Sequence, residues 1–133
     1  MAFDFGTKRI GIAIGQELTG TARGLTTLKT VNNKPDWEAI RRLIAEWHPV
    51  ILIVGLPLNM DGTEHDMTKA ARRFGNQLQT RYNLPIEMFD ERLTSLEAEE
   101  TLKNRQRARQ NKAEIDMIAA QIILQGWLDT QQR

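Results

Sequence analysis

The sequence predicts an α/β fold, in which an antiparallel hairpin or meander and parallel strands form a mixed five-stranded sheet flanked by helices. The first observation behind this prediction is an alternation of apolar with small or polar residues around a glycine turn near the start of the chain. The second is an unbroken aliphatic run at residues 50–54, which is typical of a strand covered on both faces. The third is the helical spacing of apolar residues between and after these strands.

The length of 133 residues suits one domain, taken here as residues 1–133. Because the chain has no cysteine, it has no disulfide, thiolate zinc site or cysteine nucleophile, and a cytoplasmic location is the simplest interpretation. No apolar run approaches the roughly 20 residues of a membrane span, so no membrane partner is expected. Eighteen basic and 17 acidic residues give a net charge of +1, which neither requires nor excludes a polyanionic partner.

The first three strands are predicted from period-two patterns. Phe3 and Phe5 alternate with smaller or polar residues, and three isoleucines alternate with glycine and alanine after a turn at residues 6–8. A third strand is expected within residues 21–30. Asp36 is then a predicted N-cap for the first helix, because an apolar helical face follows it.

The rest of the chain alternates predicted strands and helices. After the aliphatic strand at 50–54, a loop leads to Thr63, which forms a predicted capping box with Asp66 at the start of a second helix. A fifth strand is expected at 85–89. A similar capping pattern at Thr94 predicts the start of a third helix, which runs toward residue 102. A terminal helix at about 111–128 is apolar on nearly all sides, so it is expected to be buried on most of them.

Four acidic residues occupy positions that are unusual for carboxylates. Asp4 lies within an apolar strand, where carboxylates are rare unless they are paired, hydrogen-bonded or bound to a cation. Asp90 and Glu91 follow the fifth strand at its carboxyl end, the edge where open α/β sheets bind ligands. Asp116 interrupts the apolar terminal helix. Carboxylates from a strand, a strand end and a helix can converge on one point.

Such a cluster predicts a site for Mg²⁺ or Mn²⁺, with one or two ions bound. These cations prefer hard oxygen ligands, and in nucleases they activate a water molecule and stabilise the leaving oxygen of a phosphodiester. The sequence offers no cysteine, no plausible catalytic histidine arrangement and no P-loop motif as an alternative. Metal-dependent hydrolysis of a nucleic-acid backbone is therefore the predicted reaction.

Each carboxylate also has a purely structural interpretation. Asp4 could brace the hairpin turn, Asp90 could cap the end of a strand, and Asp116 could pair with an arginine. Any one of these interpretations is reasonable alone. The joint placement of the three positions favours the metal site.

Basic residues flank these positions and are compatible with binding of a phosphate backbone without reading of its sequence. The alternative for the long run before Asp116 is a solvated charged segment. The loop at 55–62 leads to a helix N-terminus that could meet a phosphate, although a structural turn is an equal alternative. The predicted nucleic-acid-binding residues are Lys8, Arg9, Arg92, Lys103, Arg105, Arg107, Arg109 and Lys112.

Four segments together resemble the YqgF (RuvX) family in order and spacing. They are DFGTKRIG at 4–11, GLPLNMDGT at 55–63, DERLT at 90–94 and DMIAA at 116–120. The resemblance implies an RNase H-like fold. It also implies a nuclease, first described as a Holliday-junction resolvase by analogy with RuvC and now linked mainly to maturation of the 5′ end of pre-16S ribosomal RNA.

The resemblance implies metal-binding and catalytic roles for Asp4, for Asp116 and for the acidic pair after the fifth strand, of which Glu91 is preferred over Asp90. RuvC-like nucleases carry their second carboxylate on the strand that corresponds to residues 50–54, and here that strand has no acid. The departure concerns the number and geometry of the metal ions rather than the fold.

The leading hypothesis is an endonuclease that acts on structured RNA, pre-16S rRNA above all, with the assembling small ribosomal subunit as a further partner. Its nearest rival is resolution of branched, four-way DNA, which would require a homodimer rather than a monomer. A different class is the phosphate-binding lobe of actin-like ATPases and sugar kinases, but those enzymes close two lobes around a nucleotide and 133 residues supply only one. A further class is a non-catalytic RNA- or ribosome-binding module.

Overall fold

The structure, a computed structural model, describes residues 1–94, 100, 104 and 111–131. A short 3₁₀ helix, Glu91–Leu93, follows the last strand. The strands and α-helices in chain order are β1 (Ala2–Phe5), β2 (Arg9–Gln16), β3 (Thr21–Lys29), α1 (Trp37–Trp47), β4 (Leu52–Leu56), α2 (Asp66–Tyr82), β5 (Ile86–Asp90) and α3 (Lys112–Gln131).

The sheet has five strands in the order β3-β2-β1-β4-β5. The first three strands pair antiparallel, whereas β1, β4 and β5 run parallel to one another. The predicted mixed sheet, with its meander and its parallel half, is therefore confirmed. Because β1, β4 and β5 run parallel, their carboxyl ends share one edge of the sheet. The first residue of β2 lies at the same edge, since Phe5 pairs with Ile10.

Helices cover both faces of the sheet. Phe3 packs with Phe74 in a core on the side of α1 and α2. Ala2 belongs to a second core, which α3 forms with residues such as Ile123 and Leu124. Successive side chains of a strand point to opposite faces, so Asp4 lies on the same face as Ala2. The first carboxylate is thereby directed toward the helix that carries Asp116.

Two glycines allow α3 to lie directly against the sheet. A Cβ atom at Gly11 would stand 1.9 Å from the carbonyl oxygen of Asp116, and one at Gly24 would stand 2.5 Å from Cγ of Met117. Residues 115–128 of α3 are all buried or half-buried, as its apolar sequence predicts. The close approach fixes the height of Asp116 above β2.

Two glutamines of α3 also bind the outer edge of β3. The Oε1 atom of Gln125 accepts a hydrogen bond from the amide of Ala22 at 3.1 Å, and that of Gln121 accepts one from the amide of Gly24 at 3.2 Å. Edge strands otherwise expose unpaired amides and carbonyls. The side chains of α3 therefore satisfy part of this edge while they hold the helix in place.

Some element boundaries differ from the predicted ones. The fourth strand begins at Leu52 rather than residue 50, and Val50 is 75% exposed. The capping box of α2 joins His65 to Thr68, because the hydroxyl of Thr63 donates to Asp61 at 2.6 Å. The N-cap at Asp36 is confirmed, since its carboxylate accepts a hydrogen bond from the amide of Ala39.

The helix predicted from Thr94 toward residue 102 falls largely outside the described residues, as does most of the basic run at 103–112. Within the part of the chain that is described, no helix combines the length and the hydropathy that a membrane crossing requires.

Candidate active site

The candidate site lies at the edge formed by the carboxyl ends of β1, β4 and β5. Asp4 is held on β1, where its partner across the antiparallel pair is Gly11. Gly11 is also the residue on which the backbone of Asp116 rests. One glycine thus brings two carboxylate-bearing elements together, although the two acids are far apart in the sequence.

The charges of three carboxylates interact at this edge. Burial raises the pKa of Asp4 from 3.8 to about 7, with further contributions from the negative charges of Glu91 and Asp116. A neighbouring negative charge disfavours ionisation only at short range. The structure therefore brings Asp4, Glu91 and Asp116 near one another, while Asp90 does not contribute to the raised pKa of Asp4.

Glu91 reaches the site across β4 rather than from it. A Cβ atom at Gly55 of β4 would stand 2.6 Å from Oε1 of Glu91 and 2.5 Å from Cδ1 of Ile123. Burial and, second, the charge of Asp90 raise the pKa of Glu91 above its ordinary value. Since β4 lies between β1 and β5, the carboxylate of Glu91 extends toward Asp4 through the space that Gly55 leaves. A carboxylate therefore lies above β4 although β4 itself has no acidic residue.

Asp90 is engaged by its neighbour Arg92. Its Oδ1 accepts a hydrogen bond from the amide of Arg92 at 2.9 Å, and its Oδ2 lies 2.7 Å from Nη2 of the same residue. The hydrogen bond with the Arg92 side chain lowers the pKa of Asp90, as do the amide of Arg92 and its charge. This geometry matches the capping interpretation of Asp90 and favours Glu91 as the acid that faces Asp4.

Asp116 is paired with Arg9. The distance from Nε of Arg9 to Oδ2 of Asp116 is 2.6 Å, and the two side chains are 31% and 21% exposed. The ion pair that the sequence left open as an alternative is therefore present in the structure. Arg9, which the sequence assigned to nucleic-acid binding, lies inside the carboxylate cluster.

The loop after β4 is held by its own hydrogen bonds. The amide nitrogen Nδ2 of Asn59 donates to the Thr63 hydroxyl at 2.9 Å, and the hydroxyl of Thr68 donates to the carbonyl of Pro57. Nη1 of Arg92 approaches the carbonyl of Met60 at 3.4 Å. Arg92 thereby links this loop to Asp90, directly beside Glu91.

The remaining predicted cations are less constrained. Lys8 is exposed in the turn between β1 and β2, and Lys112 is exposed at the first residue of α3. Arg92 is exposed but engaged with Asp90. Lys103, Arg105, Arg107 and Arg109 lie outside the described residues.

The donor set suits a hard divalent cation, although it is not arranged as a finished coordination shell. Among the described residues, no group of three or more acidic, histidine or cysteine side chains is placed to hold a metal ion as it stands. Asp4, Glu91 and Asp116 nevertheless offer only oxygen ligands, and their mutual repulsion is of the kind that a cation relieves. Asp116 is balanced instead by Arg9.

Sequence reasoning missed the parts of the site that carry no charge. Gly11 and Gly55 have no chemistry of their own, yet they make room for the backbone of Asp116 and the carboxylate of Glu91. The signal that could have identified them is a glycine within a buried apolar strand, which often marks the close approach of another group.

Comparison with known proteins identifies the family. A sequence model described as "RuvX: Holliday junction resolvase" matches residues 1–130. A protein of Nitrosococcus oceani named "Putative pre-16S rRNA nuclease" is 53% identical over 132 residues, which cover 99% of this chain and 87% of the relative. A protein of the same name from Yersinia pseudotuberculosis is 51% identical over 132 residues, which cover 98% of this chain and 94% of the relative.

Solved structures show the same fold. The RuvC of T. thermophilus in complex with a Holliday junction substrate superposes with a TM-score of 0.56 at 14% identity, covering 98% of this chain and 92% of that chain. A second Thermus thermophilus RuvC structure gives a TM-score of 0.52, also at 14% identity, and covers 98% and 93%. At 14% identity, these likenesses support a conclusion about the fold alone. The chain therefore belongs to the RuvX family of nucleases and has an RNase H-like fold.

Proposed function

We propose that this nuclease hydrolyses phosphodiester bonds in the precursor of 16S ribosomal RNA, with Asp4, Glu91 and Asp116 as its catalytic carboxylates. The observation that carries the proposal is that three carboxylates meet at the sheet edge where α/β folds bind ligands. Burial of Asp4 and the charges of the two nearby carboxylates raise the pKa of Asp4 to about 7. Relatives about half identical over nearly the whole chain bear the name "Putative pre-16S rRNA nuclease", which supports the choice of substrate.

The three carboxylates would hold Mg²⁺ or Mn²⁺, as one or two ions. When bound, such a cation supplies positive charge against the phosphate that is attacked and against the leaving oxygen. Asp4 supplies a rigid ligand, because its strand is paired on both sides. Glu91 supplies an oxygen from the 3₁₀ helix and Asp116 one from α3. Asp90 stays beside the site as the partner of Arg92 and would be a ligand only if that ion pair opened.

The cations around the site would hold the RNA backbone. Lys8 stands at the same sheet edge as Asp4, and Lys112 begins the helix that carries Asp116. A nuclease that matures ribosomal RNA works where small ribosomal subunits assemble, so we place its action in the cytoplasm, on the assembling subunit or its free precursor RNA. Lys103, Arg105, Arg107 and Arg109 lie outside the described residues, and we propose that these cations also bind the backbone.

A second candidate substrate is four-way DNA. The family description and the fold of RuvC with a bound Holliday junction favour it. Symmetric cutting of a junction needs two sites related by a two-fold axis, and hence a homodimer, whereas RNA cleavage needs only a monomer.

The test is a cleavage assay with pre-16S leader RNA, small-subunit precursor particles and a four-way DNA junction, each in Mg²⁺, Mn²⁺ or EDTA. Asp4→Asn and Asp116→Asn are compared with Asp66→Asn, a matched control that changes an exposed acid at the first residue of α2. We expect metal-dependent cutting of the RNA substrates that both site variants lose by about a hundredfold or more and that the control retains.

Preferred cutting of the junction by a dimer would replace RNA with DNA as the substrate. Cutting that persists in EDTA would refute the metal site. Binding of RNA without cutting in any condition, including on precursor particles, would favour the non-catalytic binding module.

A further inference from the structure

Arg9 differs from the other arginine in the site in how it uses its guanidinium group. Arg92 contacts Asp90 through Nε and Nη2 and the carbonyl of Met60 through Nη1. Arg9 contacts Asp116 through Nε alone. Within the described ranges, Nη1 and Nη2 of Arg9 have no hydrogen-bond partner. Arg9 therefore holds a carboxylate with one nitrogen and has two donor nitrogens left.

The position of Arg9 is fixed by its surroundings. It is the first residue of β2, two positions before the glycine that supports the backbone of Asp116. Its side chain is 31% exposed, so part of it is open to solvent. A guanidinium with two parallel donors matches the oxygens of a phosphate.

Asp116 cannot serve Arg9 and a divalent cation equally. The 2.6 Å contact occupies Oδ2, and the positive charge of Arg9 repels a second cation at that carboxylate. A cation that binds Asp116, at Oδ1 or at Oδ2, would therefore weaken the ion pair through charge repulsion. Arg9 would then be a free, partly exposed guanidinium at the edge where the substrate lies.

We propose that Arg9 is a built-in counter-ion that occupies Asp116 in the metal-free protein and moves to a backbone phosphate of the nucleic acid when the metal binds. This inference rests on the proposed function, because it needs a metal site that includes Asp116. It assigns Arg9 as a positioning residue that couples metal binding to substrate binding. Metal and nucleic acid would therefore bind more tightly together than separately.

The first test measures Mn²⁺ affinity by titration calorimetry, without substrate, for wild type, Arg9→Met and Lys8→Met. Lys8→Met is the matched control, because it removes the neighbouring positive charge, which has no ion pair in the described part of the chain. We expect Arg9→Met to bind Mn²⁺ about fivefold more tightly than wild type, and Lys8→Met to change the affinity much less. Circular dichroism checks that both variants are folded, and Arg9→Lys, with its charge kept, should stay near wild type.

The second test measures binding of a labelled RNA by fluorescence anisotropy in Ca²⁺, which takes the same oxygen ligands, and in EDTA. We expect Arg9→Met to weaken RNA binding several-fold more in Ca²⁺ than in EDTA, because only the metal releases Arg9. Equal losses in both conditions would overturn the exchange.

Unchanged or weaker Mn²⁺ affinity in Arg9→Met would also overturn the inference. If wild type still binds Mn²⁺ and Asp116→Asn does not, the proposed function survives that failure. Absence of Mn²⁺ binding in wild type, or full binding in Asp116→Asn, would remove both.

Discussion

A carboxylate inside an apolar strand costs the fold free energy as long as no cation balances it. Asp4 is such a residue, and the cost appears as a pKa that burial raises to about 7. Replacement by a neutral residue of the same shape should therefore benefit the metal-free fold and harm the site. On the proposed function, Asp4 is thus a position where stability and function oppose one another.

The stability of the metal-free protein should depend on pH through Asp4. The raised folded pKa favours the protonated form, so the contribution of this group is fully present below the unfolded value of 3.8 and is lost as pH rises through about 7. At pH 8 the loss is on the order of 2–4 kcal/mol. Urea unfolding in EDTA should show Asp4→Asn to be more stable than wild type at pH 8, with a smaller difference at pH 5.

The control for this prediction is Asp66→Asn, whose acid is exposed at the start of α2. Its stability should follow that of wild type at both pH values. If the free energy of unfolding of wild type and of Asp4→Asn changed with pH in parallel, ionisation of Asp4 would not cost the fold stability.

Gly55→Ala should damage the site more than the fold. The new methyl group would stand 2.6 Å from Oε1 of Glu91 and 2.5 Å from Cδ1 of Ile123, and both are ends of flexible side chains. The fold can adjust at a cost of about 1–3 kcal/mol, but the carboxylate must move. We expect cleavage rates to fall about tenfold or more at saturating metal, measured on the RNA substrate.

Gly75→Ala is the matched control, since Gly75 is a buried glycine of α2 on the opposite face of the sheet. Its methyl group would meet Sδ of Met88 at 2.9 Å, away from the carboxylates. Activity retained in Gly75→Ala and lost in Gly55→Ala would support the role of the space above β4. Equal activity in the two variants would contradict it.

Single residues could be predicted from the sequence where their surroundings were anomalous. Asp4 and Asp116 stand out as acids in apolar segments, and Glu91 as an acid at a strand end. Their partners could not be predicted, because the pairing of Arg9 with Asp116 depends on how closely α3 approaches β2. That distance is set by Gly11, which has no side chain and therefore adds neither charge nor hydrophobic periodicity to the sequence pattern.

At the scale of elements, α3 is the part of the fold that completes the candidate site. It lies on β1, β2 and β3, packs Ile123 and Leu124 into the second core and carries Asp116. The position of α3 on the sheet depends on glycines in the strands beneath it. The tolerance of those glycines to a methyl group is therefore a measure of how tightly the helix is held.

Gly11→Ala should cost more stability than Gly24→Ala. At Gly11 the methyl group would stand 1.9 Å from a backbone oxygen of α3, which no rotamer change can relieve, whereas at Gly24 it meets the flexible side chain of Met117. We expect a loss of about 3 kcal/mol or more for Gly11→Ala and about 1–2 kcal/mol for Gly24→Ala in urea unfolding. A reversed order would mean that α3 can shift on β2 freely.

Element types were predictable and some boundaries were not. The aliphatic run at 50–54 signals a buried strand, but periodicity cannot say which members of an unbroken apolar run pair with a neighbour. The ladder with β5 selects Leu52–Leu56 and leaves Val50 exposed. Likewise, Thr63 and Asp66 fit a capping pattern, but Asp61 competes for the hydroxyl of Thr63 and the box moves to Thr68.

At the scale of the whole molecule, the sheet separates two cores with different consequences for function. The core on the side of α1 and α2 contains Phe74, whose ring contacts those of Phe3, Phe5 and Trp37. The carboxylates lie on the side of α3. Damage to the first core should therefore lower stability without altering the site.

Phe74→Leu is expected to lower the free energy of unfolding by about 1–3 kcal/mol and to leave Mn²⁺ affinity within about twofold of wild type. Ile123→Ala, in the other core and against the space above Gly55, should lower both. Unfolding in urea and titration calorimetry on the same samples separate the two effects. A large loss of Mn²⁺ affinity in Phe74→Leu would show that the two sides of the sheet are coupled.

The order in which the chain is synthesised follows from the placement of Asp116 in α3. A ribosome completes every strand of the sheet before it reaches this helix, and nascent chains fold from the N-terminal side first. On the proposed assignment, Asp4 and Glu91 therefore await their third carboxylate until translation has passed residue 116. On the same assignment, no folding intermediate that lacks α3 can hold the complete carboxylate cluster, however well its sheet is formed.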